Sequence, residues 1–346
     1  MISAQSLSWE DTEPLRVQNI ALSGRALLAP MAGVTDAAMR MIAERYGATA
    51  TFSEMISSAG LLKGDRETKL RLTASLQQAA KSPRVIQIAA RDIQDIALAA
   101  KAAETHGADW IDINMGCPCK RVTGGMAGSA LMRDLDHATR LIQAARKAVE
   151  IPVSIKIRLG WDHQSLNASE LAARAEGEGV SLITVHGRTR QQFYSGKADW
   201  RAIAKVASAV KIPVVANGDC ASPEDAEVML KLSGAKAVMI GRAALGRPWL
   251  VGDIAYYLSH GSLRAEPSLA TRGRIAQEHL DALLRLMGAS GLKHARKHLA
   301  AYVDNVFVGH DSVSPLRHKL LTTHSPDEAF EMINFIFNGA SVEAVA

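Results

Sequence analysis

Eight short apolar runs, each followed by an alanine-rich stretch of helical period, constrain this chain more than any other feature. They are ALLAP (26–30), ATFSE (50–54), RVIQIA (84–89), WIDIN (110–114), PVSIKIR (152–158), SLITVHG (181–187), PVVANG (213–218) and AVMIG (237–241). Continuous runs of this kind suit parallel strands buried on both faces, and helical segments such as 93–106 supply the crossovers between them. Eight strand–helix units predict a closed (β/α)8 TIM barrel of about 250 residues. A doubly wound open sheet is the rival, but it needs a Gly-x-Gly-x-x-Gly turn after its first strand, and APMAG does not supply one. After Trp249 the strand signals stop, and 268–288, 292–308 and 327–337 carry amphipathic helical patterns. The expected division is therefore an N-terminal extension (1–25), a barrel (26–258), a Gly, Ser and Pro-containing linker near 259–267, and a smaller all-helical domain (268–340).

Composition narrows the class of protein. Of 346 residues, 48% are apolar and 22% charged, which is ordinary for a soluble globular chain with a large core. The first residues include Glu10, Asp11 and Glu13 rather than a basic leader, and no apolar run approaches the length of a membrane span, so a cytoplasmic protein without a membrane partner is expected. Three cysteines, Cys117, Cys119 and Cys220, cannot form a disulfide framework, and the CPC spacing is not that of a structural zinc site, so no metal is expected. Forty basic against thirty-five acidic residues give a net charge of +5, compatible with a polyanionic partner. In the tail, Lys293, Arg296 and Lys297 stand at i, i+3 and i+4 and would share a helical face, with Arg317 and Lys319 following. Such a face either solvates a helix or follows a phosphate backbone.

Catalytic groups of a (β/α)8 barrel sit at the carboxyl ends of its strands. Here those ends carry Pro30-Met31-Ala32, Glu54, Gln87, Asn114, Lys156 with Arg158, His186 with Arg188, Asn217-Gly218-Asp219 and Gly241-Arg242. Loops after the last two strands often bind phosphate, in which case Gly218 and Gly241 would admit backbone N–H groups to the anion and Arg242 would add charge. The bland alternative is a pair of glycines that only turn tight loops. Lys156 could be a snorkelling rim lysine, a Schiff-base lysine, or a cation facing a reduced flavin. The amides of Gln87 and Asn114 suit the edge of a heterocycle and the turn at 30–32 suits packing on a flat ring, which favours the flavin. Cys117 follows on the loop after strand four. An ordinary thiol is protonated at neutral pH, so it can donate a proton to a substrate there. Cys119 is read as packing or incidental.

The segments APMAGVTD, NMGCP with AGSAL, KIRLGWD, VHGRTRQQFYSGKADW, NGD and IGRAALGRPW, in this order, resemble the tRNA-dihydrouridine synthases, and the tail segments ARKHLAAYV and SPLRHKL resemble the helical RNA-binding domain of that family. Among its bacterial branches the chain is most similar to subfamily B. The resemblance implies a flavoenzyme that uses NADPH, with NADH a possible substitute, to reduce the C5=C6 bond of uridines in tRNA. It places Pro30, Met31, Ala32, Gln87, Lys156, Asn217, Gly218, Asp219, Gly241 and Arg242 against FMN, His186 near flavin or substrate, and Cys117 as proton donor. Asn114, Arg158, Lys293, Arg296 and Lys297 become candidate RNA contacts, and tRNA the expected partner, with no obligate protein partner implied. Two other readings stay open. A small-molecule flavoenzyme of the dihydroorotate dehydrogenase kind would not need the basic tail, and a non-catalytic RNA-binding regulator would not need Cys117, Lys156 and the flavin set.

Overall fold

In the computed structural model, which describes residues 14–76, 82–307 and 313–339, the eight runs close into a parallel barrel. Its strands are β1 (Ala26–Leu28), β2 (Ala50–Phe52), β3 (Arg84–Ala89), β4 (Trp110–Met115), β5 (Val153–Arg158), β6 (Leu182–His186), β7 (Val214–Asn217) and β8 (Ala237–Ile240). Each pairs in parallel with the next, and β8 returns to β1 with Ile240 opposite Leu28. A two-residue strand, Ile56–Ser57, lengthens the edge of β3. Of the expected N-terminal extension, residues 1–13 lie outside the described residues, and Arg16–Val17 pairs antiparallel with Ile20–Ala21.

Side chains alternate along a strand, and the alternation sorts the core into two layers. Leu27, Phe52, Val85, Trp110, Leu182, Val215, Ala237 and Met239 pack inside the barrel, joined by Leu15, Val17 and Leu22 of the N-terminal hairpin, which plugs it. The intervening residues, such as Ile111, Ile113, Ile155, Ile183 and Ile240, face the surrounding helices. Helix starts follow the sequence. Asp36, Asp92, Asp134, Asp199 and Ser222 each cap the helix that follows a strand by accepting a backbone N–H, a contact worth about 1 kcal/mol per helix.

Beyond the barrel, helices Leu269–Met287, Ser290–Asp304, Ser314–Thr322 and Pro326–Asn338 form a bundle. The helix expected over 292–308 runs from Ser290 to Asp304, with position 308 outside the described residues, as is position 340. Ser314–Thr322 was not expected as a helix. It is short and starts with Pro315 in its first turn, where a missing N–H costs nothing. Ile275, Leu283, Leu299, Tyr302, Ile333 and Phe337 share one cluster with Ala38, Ile42 and Trp249, so the bundle is welded to the barrel through the helix after β1 and the segment after β8.

No helix of the described residues is long and apolar enough to cross a membrane. The helix Leu250–His260 approaches the first barrel helix so closely that a Cβ on Gly252 would stand 1.8 Å from the Tyr46 carbonyl oxygen. Gly252→Ala should therefore destabilise the protein by about 1–3 kcal/mol, the usual cost of overpacking. In urea denaturation the control Gly177→Ala, where a Cβ meets no atom within 4 Å, should be neutral or stabilising by up to about 1 kcal/mol.

Candidate active site at the barrel mouth

Because inward positions recur every second residue, β4 places Trp110, Asp112 and Asn114 on the interior face and β5 does the same for Ser154, Lys156 and Arg158. Register then sets Asn114 opposite Lys156, Arg158 opposite His186, and His186 opposite Asn217. The expected strand-end residues thus converge on one rim.

A chain of hydrogen bonds climbs from the interior to Cys117. Trp110 Nε1 donates to Ser154 Oγ at 2.9 Å, Ser154 Oγ donates to Asp112 at 2.5 Å, and Gln87 Nε2 donates to the other oxygen of Asp112 at 2.7 Å. Asn114 Nδ2 donates to Gln87 Oε1 at 2.8 Å, and Asn114 Oδ1 accepts the N–H groups of Gly116 and Cys117 at 3.2 and 2.9 Å. Each amide therefore keeps one N–H for a ligand. Burial pushes the Asp112 carboxyl up to about 6, although Gln87, Ser154 and the charge of Lys156 pull it down. Burial also pushes the Cys117 thiol up, more than Lys156 and Arg158 pull it down, so the thiol stays protonated. Of the two readings of Cys119 the exposed side chain fits the incidental one, while its carbonyl accepts the N–H groups of Val122 and Thr123.

Opposite this chain lies a concentration of positive charge. Lys156 Nζ donates to Asn217 Oδ1 at 2.7 Å, and Asn217 Nδ2 donates to the Met239 carbonyl at 2.7 Å. Burial, reinforced by Arg158, pushes Lys156 down to about 7, although the side chain keeps a solvent-facing edge. Arg158 is 2% exposed and gives N–H bonds to the carbonyls of Gly116, Thr189 and Phe193, so it braces the loops around the mouth from beneath. Burial lowers it to about 10, where it remains a cation. His186 is held neutral by burial and by the charges of Lys156, Arg158, Arg188 and Arg242. Arg188, itself buried, forks onto Asp219 at 2.9 and 2.6 Å, and its NH1 lies 3.3 Å from His186 Nε2. Asp219 also meets Arg242 at 3.4 Å.

The loop geometry separates the two glycines. Gly218 has φ +117°, and a Cβ there would stand 2.8 Å from Ala198 Cβ and 3.0 Å from His186 Cδ2, so only glycine fits. Gly241 has φ −108°, and its nearest neighbours would be Met31 Sδ at 3.7 Å and Ala29 Cβ at 3.8 Å, an ordinary contact. A Cβ would therefore be accommodated at Gly241, unlike at Gly218. Pro30 and Met31 are half-buried and Ala32 is exposed, and their turn is fixed by Met31 N–H to Thr35 Oγ1 (2.8 Å) and Gly33 N–H to Glu54 (2.5 Å). Arg242 is exposed and lies over the Tyr194 ring at 4.9 Å.

The tail cations do not form one free face. Lys293 is exposed, Arg296 is half-buried and donates to the Thr323 carbonyl at 3.1 Å, and Lys297 Nζ reaches the turn after β1, 3.3 Å from where a Gly33 Cβ would stand. Arg317 is paired with Asp304 and Lys319 with Glu328. The sequence reading overlooked Asp112 and Ser154, although both lie two residues before a rim residue on the same strand face. It also passed over Tyr194 and Trp161, whose rings Arg242 and Arg190 cover.

A family model described as dihydrouridine synthase matches residues 27–337. A "Probable tRNA-dihydrouridine synthase" of Rhizobium leguminosarum bv. phaseoli is 49% identical over 286 residues, 82% of this chain and 87% of the relative. The tRNA-dihydrouridine synthase B of Xanthomonas campestris pv. campestris is 43% identical over 289 residues, 83% of this chain and 86% of the relative. Histamine dehydrogenase from Rhizobium sp. 4-9 is similar in fold alone, with a TM-score of 0.54 at 16% identity, covering 78% of this chain and 50% of that one.

A buried ammonium beside other cations costs stability when no anion answers it. Since folding lowers the Lys156 pKa from the ordinary 10.5 to about 7, that cost is absent above the unfolded value and grows as pH falls from there to the folded value. Lys156→Met should accordingly stabilise the ligand-free protein by about 1–3 kcal/mol at pH 7, with the gain vanishing near the unfolded pKa. Thermal denaturation of both proteins across that pH range measures it, and equal stability at pH 7 would contradict it.

Proposed function

The chain belongs to the dihydrouridine synthase family, and from that premise we propose that it is a subfamily B tRNA-dihydrouridine synthase, cytoplasmic, with bound FMN and NADPH as reductant. NADH is a possible substitute for NADPH. The observation that carries the reading is Cys117, a thiol kept protonated by burial, its backbone pinned by Asn114, within reach of the charges of Lys156 and Arg158.

The mouth suits a flat anion. Its cations, Lys156, Arg158, Arg188 and Arg242, outnumber the carboxylates Asp112 and Asp219 that face them. Pro30, Met31 and Ala32 would pack on the ring, and the spare amide N–H groups of Gln87 and Asn114 would meet the heterocycle or the substrate. Asn217 aims Lys156, while the loops at Gly218 and Gly241 and the side chain of Arg242 would hold the phosphate, with Asp219 orienting Arg242.

When bound, FMN supplies the hydride that adds to C6 of uracil. The C5=C6 bond is conjugated to the C4 carbonyl, so the pair displaced by the hydride becomes enolate-like charge. Cys117 Sγ gives its proton to C5, and the resulting thiolate takes a proton back from solvent. Lys156 stabilises the developing charge, and neutral His186, its Nε2 facing Arg188, offers an Nδ1–H. The target base must leave its stack, at about a few kcal/mol, which contacts to the rest of the tRNA offset. The division into barrel and helical domain near residues 259–267 suits this: exposed Lys293 would meet phosphates, and Lys297 would do so from beside Gly33, whereas Arg296 is committed to the Thr323 carbonyl.

Turnover of unmodified transcript tRNA, with dihydrouridine located by mass, and none of free uracil is the expected behaviour; reduction of free uracil alone would replace this reading with a small-molecule flavoenzyme. Cys117→Ala should slow uridine reduction by roughly 10²–10⁴ while leaving NADPH oxidation intact, as expected for a lost general acid. Cys119→Ala should change little. Unchanged single-turnover reduction in Cys117→Ala would remove the thiol from the mechanism.

A further inference from the structure

Away from the mouth, Asp36, His279 and His298 form a cluster that no step above uses. The three are 6%, 1% and 1% exposed, and they join segments far apart in the chain. His298, on the helix Ser290–Asp304, lies with Nε2 3.1 Å from Asp36 Oδ2, across 262 residues. His279 Nε2 is 3.8 Å from Asp36 Oδ1, and its Nδ1 is held by the Tyr302 hydroxyl at 3.2 Å. Burial pushes the Asp36 carboxyl up, but the two histidines outweigh it and keep the group ionised, while burial pushes His298 down to about 4 and keeps it neutral. An ionised carboxylate only accepts, so Nε2 of His298 carries the proton and donates it.

The cluster is short of a closed structural zinc site. One carboxylate and two imidazoles give three ligands, whereas a closed structural zinc site takes four. What the cluster does hold is a turn. Asp36 Oδ1 accepts Met39 N–H to start the first barrel helix, and directly before it the turn at 31–35 closes on itself through Val34 and Thr35 N–H to the Met31 carbonyl. Glu54 fixes this turn from β2, and from the helical bundle His298 hydrogen-bonds the Asp36 carboxylate that follows it, with His279 3.8 Å from the other oxygen and Lys297 beside Gly33.

We propose that His298 is a positioning residue: through its Nε2–H to Asp36, the helical bundle holds the turn at 31–36 in the shape that receives the flavin. The last clause rests on the flavin reading above; the grip itself does not. Removing the donor leaves a buried carboxylate short of one hydrogen bond, and bonds to charged groups are the ones most felt when lost.

Hydrogen exchange of flavin-free protein tests the grip, and FMN retention on dialysis tests its consequence. In His298→Leu the amides of 31–36 should exchange about tenfold faster, FMN should be lost faster, and helix Leu269–Met287 should keep its protection. His298→Gln, which can present an Nε2–H near the same place, should restore both properties toward the parent. A turn that exchanges as in the parent in His298→Leu overturns the proposal. Faster exchange with parent-like FMN retention supports the grip and counts instead against the flavin at this turn. Should His298→Leu fail to fold, native-state exchange of the unaltered protein in low denaturant decides. The turn and helix Ser290–Asp304 should then open together with one denaturant dependence, and a turn that opens while that helix stays closed overturns the proposal.

Discussion

Lys156 is the residue on which the site depends. It lies between Arg158, the neutral ring of His186 and the amide of Asn217, with Asn217 Oδ1 as its hydrogen-bond acceptor among the described residues. A barrel built for stability alone would put an apolar residue at this level, as it does deeper in the interior with Phe52, Trp110 and Val215. Charge placed there instead costs folding energy and creates a demand for an anion, a common compromise between stability and function. Asp112 meets that demand only in part: the two charges attract, but its oxygens are committed to Ser154 and Gln87 and burial works against its charged form.

The same architecture suits the acid role proposed for Cys117. The path from Trp110 through Ser154, Asp112, Gln87 and Asn114 fixes the backbone of Cys117 from below. Arg158 fixes the carbonyl of Gly116 from the side, and Ser129 fixes that of Cys117, donating to it at 2.9 Å. Nothing in this set offers the thiol a base. The arrangement keeps the proton on sulfur and holds the backbone that carries it, in keeping with an acid rather than a nucleophile.

Much of this was legible in the sequence because it rests on local pattern. Apolar runs marked the strands, helical periodicity marked the segments between them, and polar residues at strand ends marked the rim. What escaped depends on distance along the chain or on direction. Arg158 reads as a rim cation, yet its guanidinium turns under the loops to three carbonyls that no spacing rule identifies. Gln87 and Asn114 read as two free amides, but register makes them partners. The tail cations share a helical face on a wheel, while packing of Ser290–Asp304 against the barrel divides that face between Thr323 and Gly33. His298 lies within a recognisable segment, but its partner at Asp36 is fixed only by how bundle and barrel dock.

The central claim is that the cationic mouth stabilises negative charge on the bound cofactor. The midpoint potential of protein-bound FMN, compared between the parent and Lys156→Met in redox titration at pH 7, tests it most directly. Removing the cation should lower the potential by roughly 30 mV or more, equivalent to about 1.4 kcal/mol for a two-electron couple. An unchanged or higher potential in Lys156→Met would contradict the account.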